Sequence, residues 1–102
     1  MDVQVEVTID ERTAARVAEL FQALSDPSRV RILSSLMHGE RNVSGLAEDV
    51  GISESAVSHH LRGLRLMRLV RARKQGRQVY YCLDDDHITE LYQSGLDHVL
   101  HG

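Results

Sequence analysis

Apolar residues recur along the first two thirds of this chain at helical spacing. Val17, Leu20, Phe21 and Leu24 fall at i, i+3, i+4 and i+7, which predicts an amphipathic helix over roughly residues 10–24. Asp26-Pro27 reads as a cap followed by proline at the first helical position. Val30, Leu33, Leu36 and Met37 form the stripe of a second helix, with Gly39 as its expected stop. Asn42 can cap a short third helix bearing Val43, Leu46, Ala47 and Val50 and ending at Gly51. Ser53 caps a fourth, whose inner stripe is Val57, Leu61 and Leu64. Only Gly51-Ile52-Ser53 separates these two helices, which is the helix-turn-helix pattern.

After Arg68 the period changes. Residues 69–73 and 78–83 read as strands, with Val79, Tyr81 and Leu83 alternating with Tyr80 and Cys82. Lys74-Gln75-Gly76-Arg77 supplies the expected turn, with glycine where positive φ is easy. A basic hairpin directly after a helix-turn-helix reads as a wing. A last helix is expected over about residues 85–100, with Ile88, Leu91, Tyr92, Leu96 and Val99 as its apolar positions. The expected fold is mainly α with a small β-hairpin, a winged helix-turn-helix. There are no repeats, low-complexity tracts or linkers, so residues 1–102 are read as one domain. With four aromatics and no tryptophan the core must be largely aliphatic, and a homodimer would bury more.

Net charge is −3, which argues weakly against nucleic acid, but its distribution argues the other way. Residues 55–83 hold no acid and seven of the twelve Lys and Arg, namely Arg62, Arg65, Arg68, Arg71, Arg73, Lys74 and Arg77. From Asp84 onward the sign flips, with five acids and no Lys or Arg. Such a basic block is either an electrostatic footprint for phosphates or a solvated face. No run is long and apolar enough to span a membrane, and the acidic opening segment lacks the apolar core of a secretory leader. The single Cys82 excludes an internal disulfide framework and a multi-cysteine zinc site. A reduced, cytoplasmic setting is expected. Cys82 itself is read as a small packed residue on a wing strand.

The second helix of a helix-turn-helix enters the major groove with its N-terminal residues facing base edges. Ser53, Ser55, Ser58 and His59 are the candidates there, with Arg62 and Arg65 further along for phosphates. Lys74, Gln75 and Arg77 at the wing tip are candidates for the neighbouring backbone or minor groove. His60 lies on the inner stripe and is read as packed rather than base-reading, and Glu54 as a partner of the helix dipole.

The last helix carries Asp85, His87, His98 and His101. At about 100° per residue, the eleven steps from His87 to His98 come close to whole turns, and His101 falls about 60° away. The three histidines share one face, but about 16 Å of helix separates His87 from His98. One ion cannot be held by both ends of one helix. Two antiparallel copies across a two-fold axis would bring Asp85 and His87 of one subunit to His98 and His101 of the other, giving two equivalent sites per dimer. Asp85 falls about 200° from His87 on a regular helix, and serves only if it starts the helix with non-helical geometry. Asp84 and Asp86 are alternative acids. Three imidazoles and a carboxylate in tetrahedral array suit Zn(II) or Co(II). The competing reading is a solvated acidic helix with incidental histidines.

Three segments together resemble one known family. They are Leu24-Ser25-Asp26-Pro27-Ser28-Arg29-Val30-Arg31-Ile32-Leu33, then Ser58-His59-His60-Leu61-Arg62, then Arg73-Lys74-Gln75-Gly76-Arg77-Gln78-Val79-Tyr80-Tyr81. The chain is similar over nearly its whole length to the ArsR/SmtB winged-helix repressors. The resemblance implies a homodimer with its first and last helices at the interface. It also implies repression of a metal-efflux or resistance operon, relieved by metal. The Cys-x-Cys motif of the arsenic, cadmium and lead type is absent from Asn42-Val43-Ser44-Gly45-Leu46-Ala47. The zinc and cobalt type carries Asp-x-His, ten residues, His, two residues, then Glu or His, and Asp85, His87, His98 and His101 fill those places in register. Nickel-sensing relatives often add N-terminal ligands, and this N-terminus has no histidine.

The expected function is thus a Zn(II)- or Co(II)-responsive repressor of double-stranded operator DNA. The alternative is a family member answering nickel or a non-metal signal. An enzyme is not expected. A four-ligand site leaves no open metal position, and no nucleophile–base–orienter set is visible.

Overall fold

The structure, a computed structural model, describes residues 8–102. The opening segment, read above as neither a leader nor a source of histidine ligands, lies largely outside the described residues. The elements are α1 (Glu11–Ala23), α2 (Pro27–Leu36), α3 (Val43–Val50), α4 (Glu54–Leu66), β1 (Val70–Gln75), β2 (Gln78–Leu83) and α5 (Asp86–His101).

Each helix begins where a short polar side chain can satisfy its free amides. Asp10 accepts from the Thr13 N–H at 2.8 Å, Asp26 from those of Ser28 and Arg29, and Asn42 from that of Gly45. Ser53 and Asp85 do the same for α4 and α5. Gly51, at φ +76°, ends α3 in the left-handed region. The end of α2 differs from expectation. The helix stops at Leu36, and Gly39, at φ +132°, shapes the turn beyond it.

The aliphatic stripes of α2, α3 and α4 converge on one core. Ile32, Leu46, Val57, Leu61, Leu64, Leu69 and Val70 are fully buried there, so the base of the wing closes the same core that the helix-turn-helix builds. The wing is an antiparallel pair with Val70 opposite Leu83 and Gln75 opposite Gln78. Its connection is therefore only Gly76-Arg77, shorter than the four residues expected, because Gly76 takes φ +61° at the first turn position. Arg41 bridges to Tyr81, its N–H donating to the Tyr81 carbonyl at 3.1 Å, and this ties the entry of α3 to the wing.

The junction between α4 and β1 is backbone-strained. Arg68 adopts φ +59°, the one non-glycine residue in that region among those described. The Leu69 N–H reaches back to the Leu64 carbonyl at 2.9 Å, a left-handed helix termination usually made with glycine.

The two outer helices are poorly covered. No residue of the 16-residue α5 is buried. Val99 is 79% exposed and Phe21 on α1 55% exposed, and an apolar groove of about 430 Å³ runs between α1, α2 and α5. Apolar surface left open on both terminal helices is the surface a second subunit would cover. None of the described helices is long and apolar enough to cross a membrane.

Candidate functional site

The DNA-reading candidates lie on α4 and at the tip of the wing. Ser55, Ser58, Arg62 and Arg65 follow one another at three- and four-residue steps along the exposed face of α4. Ser58, Arg62 and Arg65 also line a groove of about 480 Å³ that α4 makes with Tyr81 of the wing. His59 is exposed beside them, in edge contact with His60 at 5.7 Å between ring centroids. Ser53 starts the helix, and its hydroxyl accepts the Ala56 N–H at 3.0 Å, so one lone pair is already used.

At the wing tip Lys74 and Arg77 are exposed, and neither makes a side-chain hydrogen bond among the described residues. Gln75 accepts from Arg73 Nη1 at 2.9 Å. Not every cation of the acid-free stretch is free for phosphate. Arg73 makes a two-pronged pair with Glu40, at 3.0 and 2.6 Å, and lies over the Tyr80 ring. The hydrogen bond from Arg73 holds the Glu40 carboxyl below its ordinary range. Arg71 donates to Cys82 Sγ at 3.3 Å. Its guanidinium is pushed above its ordinary value by that contact first and by Asp84 and Glu40 as well. Two contacts were beyond the reach of sequence reasoning. Asn42 donates to Gln78 at 3.1 Å, linking the α3 cap to the wing, and His60 accepts from Arg29.

At the start of α5, Asp85 is extended, at φ −159° and ψ −177°. This is the non-helical geometry that the 200° offset demanded. Its carboxylate accepts the His87 N–H at 2.8 Å and lies 3.3 Å from His87 Nδ1. Burial opposes ionisation of Asp85, but hydrogen bonds from the His87 side chain and backbone prevail, and the carboxyl is held below its ordinary range. Two donors on a tetrahedral ion with bonds near 2.0–2.1 Å stand about 3.3–3.4 Å apart, so the Asp85–His87 spacing fits such an ion. Of the three neighbouring acids, Asp85 is the one set beside His87. The Asp84 backbone is bonded back to Leu69, and Asp86 is the first residue of the helix.

His98 and His101 are exposed in the last turn of α5, and the helix keeps them apart from Asp85 and His87. Among the described residues no three His, Cys, Asp or Glu side chains of one chain gather as a metal site. The structure thus brings Asp85 and His87 together at one end of α5 and leaves His98 and His101 at the other.

Comparison with known proteins accords with this architecture. The model of the bacterial regulatory protein arsR family matches residues 26–72, from the cap of α2 into β1. A transcriptional repressor SmtB homolog from Synechocystis sp. is 50% identical over 98 residues, covering 95% of this chain and 73% of that protein. The HTH-type transcriptional regulator NmtR from Mycobacterium tuberculosis is 43% identical over 93 residues, covering 91% and 78%. Among solved structures, the homodimeric winged helix-turn-helix DNA-binding domain of Mb0332 from Mycobacterium bovis superposes with a TM-score of 0.79. Its sequence identity is 29%, over 95% of this chain and 96% of that one. With a capped helix-turn-helix, a basic two-stranded wing and half-identity to a repressor across nearly its whole length, this chain belongs to the arsR family of bacterial regulatory proteins, transcriptional regulators rather than enzymes.

Proposed function

We propose that this chain is a metal-responsive transcriptional repressor acting in the cytoplasm as a homodimer of one winged helix-turn-helix domain. The metal-free dimer binds operator DNA through α4 and the wing. Ser53, Ser55, Ser58 and His59 face base edges and adjoining backbone, Arg62 and Arg65 reach phosphates, and Lys74, Gln75 and Arg77 clamp the neighbouring backbone. Asp85 and His87 of one subunit, with His98 and His101 of the other, hold Zn(II) or Co(II), two sites per dimer. Bound there, the ion supplies a cross-link between the subunits, and operator DNA is released, derepressing efflux or resistance genes.

The observation that carries this reading is Asp85. It caps α5 in an extended conformation that turns its carboxylate onto His87 Nδ1 at 3.3 Å. The extended cap is common to every helix here; what singles out Asp85 is that its capping carboxylate is set against an imidazole, a pairing a metal site would use. The uncovered apolar face of α5 supports a second α5 as the source of the remaining ligands. For metal and DNA to be linked, each must favour a different dimer conformation. A ligating imidazole commonly donates its other N–H to an acceptor. His98 is assigned that task, with a backbone carbonyl near Arg68 at the end of α4 as acceptor.

The test mixes two inactive variants. A His87→Ala chain and a His98→Ala chain each form homodimers with two damaged sites. Their heterodimer carries one site lacking both substituted ligands and one intact site. Restored tight zinc binding, at one ion per heterodimer, is the expected result. No restoration refutes the intersubunit site. Failure of zinc or cobalt to lower DNA affinity in the parent would select nickel or a non-metal signal instead.

A further inference from the structure

Arg29 joins three helices. It leaves the first turn of α2, directly behind the Asp26 cap that binds its own backbone N–H. Its Nε–H donates to Nδ1 of His60 on α4 at 3.2 Å. Its Nη1 donates to the carbonyl of Ala23, the last residue of α1, at 3.3 Å. The guanidinium also lies against Gly63, one turn beyond His60. A Cβ placed on Gly63 would stand 2.7 Å from Nη2, 3.0 Å from Cζ and 3.1 Å from Nη1. Glycine weakens a helix interior relative to alanine, so its presence in the middle of α4 has a structural use: it makes the seat for this side chain.

We propose that Arg29 is a positioning residue for operator recognition, setting the angle of α4 against the end of α1 by holding both at once. The inference rests on the reading above that α4 enters the groove and α1 belongs to the dimer-forming part of the chain. Arg29 touches none of the groups assigned to DNA. His60 and Gly63 lie on a different face of α4 from Ser55, Ser58, Arg62 and Arg65. The angle is decisive because α4 is long. Its 13 residues span about 20 Å, so a tilt of about 10° about one end moves the other by about 3.5 Å. A base-edge hydrogen bond does not survive such a displacement. Arginine suits the task because its planar fork serves two acceptors in fixed directions, which a lysine ammonium on a flexible stem cannot do.

The experiment first selects a duplex from a random-sequence pool with the parent protein. Affinity for that duplex and for a random-sequence duplex is then measured across a salt series for Arg29→Lys, His60→Leu, His60→Gln and Gly63→Ala, together with melting temperature. Arg29→Lys, His60→Leu and Gly63→Ala should each lose about tenfold for the selected duplex, the order of one hydrogen bond to a charged group. Affinity for the random duplex should stay within about twofold, with the salt slope unchanged, because the phosphate contacts remain. His60→Gln, whose amide oxygen replaces the Nδ1 acceptor, should behave as the parent. Gly63→Ala separates positioning from stability, since it displaces the guanidinium while favouring the helix. It should lose discrimination without a lower melting temperature. If Arg29→Lys and Gly63→Ala keep their preference for the selected duplex, the proposal is overturned. It is equally overturned if affinity for both duplexes falls in step with melting temperature. If the parent enriches no sequence, it is the reading of α4 that fails, and the inference falls with it.

Discussion

Replacing Arg68 with glycine should stabilise the protein, although it deletes a long side chain. Arg68 sits at φ +59°, where the Cβ of an L-residue crowds the following carbonyl at a cost of about 1–2 kcal/mol. Its side chain is exposed and makes no hydrogen bond among the described residues, so little disappears with it. The Leu69 N–H to Leu64 carbonyl bond that closes the helix is backbone to backbone and survives the change. Against the gain stands the greater freedom of glycine in the unfolded chain, about 0.4–1 kcal/mol. The net is a stabilisation of about 0.5–1 kcal/mol, or a rise of about 2–6 °C in melting temperature for a domain of this size. Thermal and urea unfolding should be compared at one fixed protein concentration, because dimer dissociation makes the midpoint concentration-dependent. Arg68→Ala is the control. It removes the same side chain but keeps the Cβ, so it should show no gain. A glycine variant no more stable than the alanine variant would refute backbone strain at this junction. The glycine variant also keeps the carbonyl proposed as the acceptor for His98, so its release from DNA by metal should match the parent.

The wing is expected to neutralise phosphates, so Lys74→Ala combined with Arg77→Ala should weaken binding to all sequences alike. The magnitude of the salt slope should fall by roughly one unit for each phosphate left without its cation, and an unchanged slope removes the wing from the interface. Asp85→Asn should preserve the helix cap, and with it the helical circular dichroism, but lose zinc affinity. Asp85→Ala should lose both, and equal zinc binding by the parent and Asp85→Asn would exclude the carboxylate as ligand. Acid should destabilise the fold. The Asp26 carboxyl is lowered chiefly by the Arg29 backbone N–H, and that of Asp49 by the Ser35 hydroxyl and then by Arg41. Their folded values lie below their unfolded ones. Their contribution is therefore complete above the ordinary carboxylate range and is lost as pH falls through the folded values, below about pH 4. A urea midpoint unchanged from pH 7 to about pH 3 would contradict these assignments.

Local chemistry made much of this fold legible in the sequence. Asp26, Asn42 and Ser53 read as caps from their places before the apolar stripes, and each caps the helix that follows; Asp10 and Asp85 cap α1 and α5 as well. The buried set Val57, Leu61 and Leu64 follows from helical spacing alone. The length of the wing turn was less legible. Lys74 and Gln75 are polar and exposed, and nothing in residue type says that they continue β1 rather than join the turn. Contacts between distant positions were not legible at all. Arg29 and His60 are 31 residues apart, and neither periodicity nor charge pairs them. The placement of Arg73 against Glu40 is similar, since a basic run in sequence does not show which of its members are already neutralised. The spacing of His87, His98 and His101 was visible, but the conformation that brings Asp85 to His87 is a property of the chain turning out of β2 into α5.

That turn places Asp85 and His87 a few covalent and hydrogen-bonded steps from α4, although α5 buries none of its own residues. Asp84 precedes Asp85, and its N–H donates to the Leu69 carbonyl at 3.1 Å. Leu69 is 1% exposed, locked in the core, and its own N–H is bonded to Leu64 on α4. Further along, the Tyr92 hydroxyl donates to Ser34 on α2 at 2.9 Å, and Ile88 packs on the core. The start of α5 is therefore tied to Leu69 by one backbone bond and a single intervening residue. Moving Leu69 shifts both the end of α4 and the base of the wing, because Val70 opens β1 directly after it. A ligand that favours one orientation of Asp85 by about 1–3 kcal/mol, the usual size of coupling between sites, would therefore have a bonded route to the two elements proposed to meet DNA. The strained Arg68 lies at the centre of this junction, between the helix proposed to read the groove and the strand that opens the wing.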